Sequence, residues 1–169
     1  VFVAPKSKGG LRGKMTTLKT ALFILFVPFL LLAILPFWIM SNTPALFSFG
    51  ILRWLAIPLW LAGAAGMLWC AYDFTVRGRG TPAPIDPPKQ LVASGLYRFV
   101  RNPMYVSGIT FLLGDALWSP SLPLLVAPLL FLLATHLFVF YYEEPILRKK
   151  FGASYEQYCR DVPRWIPRM

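Results

Sequence analysis

Charge is scarce in this chain, and so are the residues that hold metals or act as nucleophile and base. Only 14% of its 169 residues are charged, and just seven are acidic. A soluble domain spends about a quarter of its residues on charge, so a water-facing globular surface is excluded. There is a single histidine, His136, and the two cysteines, Cys70 and Cys159, lie far apart. No zinc-ligand spacing exists, so no metal is expected, and a nucleophilic triad would have only one imidazole to draw on. No Walker loop occurs, and the lone Gly-Arg-Gly at 78–80 is not a dinucleotide fingerprint. The cysteines read as one buried thiol and one reduced surface thiol, as expected for a cytoplasmic face.

What the chain has instead is apolar: 57% hydrophobic residues, 16% aromatic, and a mean hydropathy of +0.58. The net charge of +10 raises nucleic acid as a partner. The basic residues flank apolar runs instead of covering a polar surface, which excludes that reading and points to anionic lipid head groups. Residues 1–14 read as an expression remnant or a disordered basic arm ahead of Met15, leaving 15–169 as one domain.

Four apolar runs predict transmembrane helices over about 18–40, 51–72, 103–118 and 121–142. The third is short. Prolines within them do not veto helices, because a membrane bundle can satisfy the freed carbonyls, and Pro103 falls in a first turn. Ala62, Gly63, Ala65 and Gly66 form a small-residue face, with 62 and 66 a small-xxx-small pair suited to close packing. Every lysine and arginine except Arg53 lies in the N-terminal arm, the 73–102 segment or the tail after Tyr142. The positive-inside rule therefore places both termini and the central segment in the cytoplasm. The tail reads as an amphipathic helix that Phe151-Gly152 can interrupt. The expected fold is an all-α integral membrane bundle of about four helices with a cytoplasmic amphipathic C-terminal helix.

Two polar clusters flank the 103–142 hairpin. Tyr97, Arg98, Arg101, Asn102 and Tyr105 mark where the third span begins, and Glu143, Glu144 and Arg148 where the fourth ends. A hairpin brings both to the same membrane level. His136 precedes Glu143 by seven residues, nearly two turns, so both face one way. An ionisable residue inside a span is a functional suspect, although an interhelical hydrogen bond is the plainer reading of His136. Arg101 alone reads as a positive-inside anchor, and Glu143 alone as a partner of Arg148.

The pattern Gln90-Leu91-Val92-x-x-Gly95-x-Tyr97-x-x-x-Arg101-Asn102-Pro103-x-Tyr105-x-x-Gly108 is followed by Glu143-Glu144-x-x-Leu147-x-x-x-Phe151-Gly152-x-x-Tyr155-x-x-Tyr158 and Val162-Pro163-Arg164. It resembles the isoprenylcysteine carboxyl methyltransferase family and, more loosely, membrane enzymes that methylate phosphatidylethanolamine. The resemblance covers about residues 88–168 and implies S-adenosylmethionine as methyl donor, with S-adenosylhomocysteine as product, bound at the cytoplasmic edge beneath the tail. It carries cofactor contacts to Gln90, Leu91, Val92, Tyr97, Asn102, Pro103, Met104, Tyr105 and Glu143. Arg101, His136 and Glu144 would surround the acceptor, and no catalytic residue is assigned. Asn102 stands where the family usually has histidine; an amide keeps the hydrogen bonding and loses the proton chemistry. The family's acceptor-recognising arginine has no counterpart in Leu-Phe-Val-Phe-Tyr-Tyr at 137–142. The acceptor is expected to be lipophilic and to enter from the bilayer: a prenylcysteine, a lipid amine, or a small hydrophobic acid or thiol. A non-catalytic assembly protein or a small transporter subunit are the competing classes.

Overall fold

The computed structural model describes residues 30–76 and 91–167, so Gln90 and the first part of the first expected span lie outside the described residues. Everything regular within them is helical. A π turn, Leu30–Ile34, leads into α1 (Leu35–Asn42), and a 3-10 turn, Gly50–Leu55, into α2 (Ala56–Val76). A short 3-10 turn, Gly95–Arg98, precedes α3 (Pro103–Trp118). Then α4 (Leu122–Phe138), a π turn (Val139–Glu143) and α5 (Glu144–Phe151) run on as one continuous rod. Gly152, at φ +53°, breaks the chain before α6 (Ala153–Asp161). The helix of the fourth apolar run thus continues past that run into the charged tail as far as Phe151, and the amphipathic tail is divided where Phe151-Gly152 predicts.

Prolines start these helices. α1, α3, α4 and α5 each carry one in the first turn, where the missing N–H would have had no partner. The Gly50–Phe74 rod has 25 residues and the Leu122–Phe151 rod 30, and an 18-residue stretch within each has a mean hydropathy of 1.6 and 2.3. At 1.5 Å per residue both exceed the ~30 Å of a hydrocarbon core. The bundle is inside out by the standards of water: Leu61, Leu68, Trp69, Leu129 and Leu133 are exposed, while Asp73, Ser107, Asp115, Thr135 and Glu144 are buried. Lipid is the solvent that makes this arrangement stable.

α3, with only 16 residues, lies between α2 and α4. A Cβ on Gly63 would sit 2.7 Å from the Ser107 carbonyl oxygen and 2.9 Å from Phe111 Cβ, and one on Gly66 would collide with the Ser107 hydroxyl. The glycine pair that admits α3 is therefore 63 and 66. Ala62, the first member of the expected 62/66 pair, is exposed. On the other face of α3, Gly108 admits the Phe131 ring of α4.

One end of the bundle gathers the short connections, with the Leu46 N–H donating to the Pro120 carbonyl at 3.0 Å. The other end gathers residues 91–102, the Val139–Glu143 turn and the tail, joined by the Arg101 N–H donating to the Pro163 carbonyl at 2.8 Å.

Candidate functional site

The site is built around the first turn of α3. Pro103 brings no N–H, Val106 is already bonded to the Asn102 carbonyl at 3.1 Å, and no side chain caps the helix. The N–H groups of Met104 and Tyr105 are thus left at a helix N-terminus, which carries partial positive charge. Successive helical side chains diverge by about 100°, so Met104 and Tyr105 face different neighbours. Met104 packs with Phe74 and Leu96 against the cluster of Cys70, Val92 and Tyr97. Tyr105 turns to α4 and donates its hydroxyl to Glu143 Oε2 at 3.2 Å.

Gly95 lets the chain fold back over α2. Its φ is +61°, and a Cβ there would collide with the Asp73 carboxylate and come within 3.0 Å of Trp69 Nε1. That backbone fixes Tyr97 against Phe74, edge to face with centroids 5.3 Å apart. The Tyr97 carbonyl accepts the Tyr158 hydroxyl at 2.6 Å. Burial pushes both phenols well above their ordinary range, so they remain neutral.

The two neighbouring glutamates part company at the π turn. A π turn holds one more residue than an α turn, and such bulges are frequent at functional sites. Glu143 is half-buried, and the Tyr105 hydroxyl is its one described hydrogen-bond partner. Glu144 is only 4% exposed and sits among arginines. Arg164 holds it through two hydrogen bonds of 2.7 and 3.1 Å, Arg101 lies at 3.2 Å, and the exposed Arg148 at 3.7 Å. The i,i+4 partner of Arg148 is therefore Glu144, and Arg148 also pairs with Glu156.

The tail closes over this end. Tyr155, Tyr158 and Val162 form a buried cluster into which Leu91, Leu147, Phe151 and Cys159 pack. Arg101 Nη1 donates to Cys159 Sγ at 2.7 Å, and Asn102 Nδ2 donates to the Arg164 carbonyl at 3.2 Å. Trp165 then inserts between the helices. Its Nε1–H donates to His136 Nδ1 at 3.1 Å, and its ring centroid lies 6.0 Å from that of His136 and 6.4 Å from that of Tyr105.

The residues expected around the cofactor fall into three contact groups at this end of the bundle. Val92, Tyr97 and Met104 pack beside α2, Tyr105 and Glu143 are hydrogen-bonded, and Leu91 and Asn102 meet the tail. Gln90 lies outside the described residues. Arg101 and Glu144 bind each other, while His136 joins the site through Trp165. What sequence reasoning missed is Trp165 itself and the tail-binding duty of Asn102. The only signal was the Val162-Pro163-Arg164 run, and it does not say what the next side chain touches. Among the described residues no group of histidine, cysteine and acidic side chains could hold a metal.

A family model described as phospholipid methyltransferase matches residues 51–154. The matched stretch runs from the turn before α2 to the start of α6 and includes both glutamates and the whole α3 entrance. Comparisons with curated proteins and with solved structures gave no match.

Proposed function

The chain belongs to the phospholipid methyltransferase family, and from that premise we propose that it transfers a methyl group from S-adenosylmethionine to a lipophilic amine at the cytoplasmic edge of the membrane. The observation that carries this reading is Glu143. It is a half-buried carboxylate whose one described hydrogen-bond partner is a neutral phenol, and it stands opposite a helix N-terminus without a side-chain cap.

These residues fit the cofactor. Its ammonium suits Glu143, its carboxylate suits the Met104 and Tyr105 N–H groups, and its adenine and sulfonium suit the rings of Tyr97 and Tyr105. When bound, it would supply a methyl group whose S–C bond breaks as the acceptor N–C bond forms, leaving S-adenosylhomocysteine, with the proton of the acceptor nitrogen released to solvent. Because that methyl is already activated, the protein's work is alignment and exclusion of water. Met104 and Tyr105 tie the site to their two neighbours, and the tail roofs it through Asn102 and Arg164. Glu144 leaves the reaction alone and holds the roof. The reading takes residues 15–169 as one methyltransferase unit with both termini in the cytoplasm.

The test is titration calorimetry of S-adenosylhomocysteine into the detergent-purified full chain, where binding of one equivalent is expected. A folded protein that binds none sinks the proposal. For orientation, a single cysteine at position 45 should react with an impermeant thiol reagent outside intact cells, and one at 153 should not.

A further inference from the structure

His136 is left over by the reading above, yet its surroundings are specified closely. The Trp165 indole N–H is a donor only, so the His136 Nδ1 that receives it at 3.1 Å must be bare. The ring's proton therefore sits on Nε2. While this bond holds, Nε2 is the ring nitrogen that can donate. Phe140, one turn on, stacks nearly parallel to the imidazole at 6° with centroids 6.4 Å apart, which fixes the ring plane. Nε2 has no partner among the described residues. His136 itself is half-buried, between Leu132, Leu133 and Phe140, all exposed on the bilayer-facing surface. A half-buried donor without a partner among the described residues, set among exposed apolar neighbours, suits an acceptor that a lipid can bring.

Spacing says which one. His136 lies seven residues before Glu143 on the same rod, about 10 Å along the axis. Both are tied to one ring, Glu143 by its hydrogen bond to Tyr105 and His136 through Trp165, which packs on Tyr105. In an aminophospholipid, nine bonds separate the amine nitrogen from a glycerol-ester carbonyl carbon. An extended chain gains about 3.3–3.6 Å per three bonds, so nine bonds reach about 10–11 Å. With the cofactor's ammonium on Glu143, the acceptor amine belongs beside the cofactor's methyl group near Tyr105, and an extended lipid from there carries its ester carbonyl toward His136.

We propose that His136 Nε2–H donates a hydrogen bond to a glycerol-ester carbonyl of the acceptor lipid, making it a specificity residue for diacyl ester lipids, with Trp165 as its positioning residue. This rests on the methyltransferase reading for the level of the amine. The probe pair is dioleoyl phosphatidylethanolamine and its dialkyl ether analogue, which share amine, phosphate and chains and differ in the carbonyls. Retention of each by the purified full chain is measured by native mass spectrometry without cofactor.

One neutral hydrogen bond is worth about three- to tenfold, so wild type should retain the ester lipid over the ether by that factor. His136→Phe, which keeps a flat ring against Phe140, should bring the ratio close to one by weakening ester retention alone. His136→Gln, which keeps a donor, should restore part of the preference, and Trp165→Phe should reduce it with ether retention unchanged. An ester preference that survives His136→Phe overturns the inference, as does an equal loss of both lipids or a wild type without preference. Calorimetry with S-adenosylhomocysteine on the same samples separates the two claims. Missing cofactor binding sinks the methyltransferase reading, while the ester-to-ether ratio still decides the role of His136.

Discussion

The two ends of the bundle each bury a carboxylate, and they treat it in opposite ways. At the tail end Glu144, 4% exposed, is surrounded by Arg164, Arg101 and Arg148. At the other end Asp115, also 4% exposed, accepts one hydrogen bond from Trp60 Nε1 at 2.9 Å, and its Oδ2 has no hydrogen-bond partner among the described residues. The one arginine near that end, Arg53, lies over the rings of Trp54 and Trp118 at 5.3 and 5.1 Å instead of pairing with the acid. Buried charge is tolerated when it is matched by charge. The tail end therefore uses ions as structural ties, whereas the far end is a tryptophan-lined plug in which a neutral acceptor could serve. A third carboxylate, Glu143, is half-buried and has the Tyr105 hydroxyl as its one described hydrogen-bond partner.

Glu144→Gln should have the largest effect. It leaves Arg101 and Arg164 facing a neutral amide in a site where their side chains are only 11% and 25% exposed. Breaking a buried pair from one side costs about 3–5 kcal/mol, and Arg148, being exposed, adds little. The expected outcome is a lower unfolding temperature in detergent together with new protease cleavage after Arg164, as the tail lifts from Asn102 and His136. A variant that melts like wild type with its tail protected would show that the arginines do not need this acid.

Glu143→Gln should instead spare the fold and damage binding. An amide oxygen can still accept the Tyr105 hydroxyl, so stability should change by less than about 1 kcal/mol. Losing the charge opposite the cofactor's ammonium should weaken S-adenosylhomocysteine binding by roughly thirtyfold or more. Wild-type affinity in this variant would move the ammonium site elsewhere and leave Glu143 as a lipid-edge residue.

Asn102 tests the roof. Its amide donates to the Arg164 carbonyl, a duty that an imidazole N–H can also perform. Asn102→His should therefore change cofactor affinity by less than about tenfold, or 1.4 kcal/mol. Asn102→Ala should lose more, because nothing then ties the tail carbonyl. If His is worse than Ala in calorimetry, the position is read by size and not by its donor.

Much of this was legible in the chain because a bilayer writes long runs. The apolar stretches anticipated the helices Ala56–Val76, Pro103–Trp118 and Leu122–Phe138. The hairpin of the last two brings Tyr105 and Glu143 together, as the sequence suggests. The π turn was not legible: it shifts the register by one residue, and no residue type announces it, so the contrast between Glu143 and Glu144 had to come from coordinates. Nor was the glycine pair, since Ala62, Gly63, Ala65 and Gly66 all qualify by size and only the approach of Ser107 selects 63 and 66. The Trp165–His136 bond joins residues 29 apart, in a tail whose docking depends on Glu144, and a local pattern cannot show that.

The smallest effect should come from Asp115→Asn, and its smallness is what makes it useful. The Asn carbonyl can take the Trp60 N–H as the carboxylate does. The amide nitrogen would replace Oδ2, an atom already without a hydrogen-bond partner, so one unmatched polar atom is exchanged for another. No arginine or lysine forms an ion pair with Asp115 among the described residues, so no cation is stranded by the change. The net cost should stay below about 1 kcal/mol, within the range of one neutral hydrogen bond, and S-adenosylhomocysteine affinity at the far side of the bundle should not move. Trp60→Phe is the sharper companion: it removes the one donor to Asp115 among the described residues and leaves the carboxyl unmatched, which costs about 1–3 kcal/mol. Melting curves of Asp115→Asn, Trp60→Phe and Glu144→Gln in one detergent should therefore rank in that order of increasing loss. If Asp115→Asn costs as much as Glu144→Gln, Asp115 is acting as an ion with a cationic partner, and the contrast between the two ends fails.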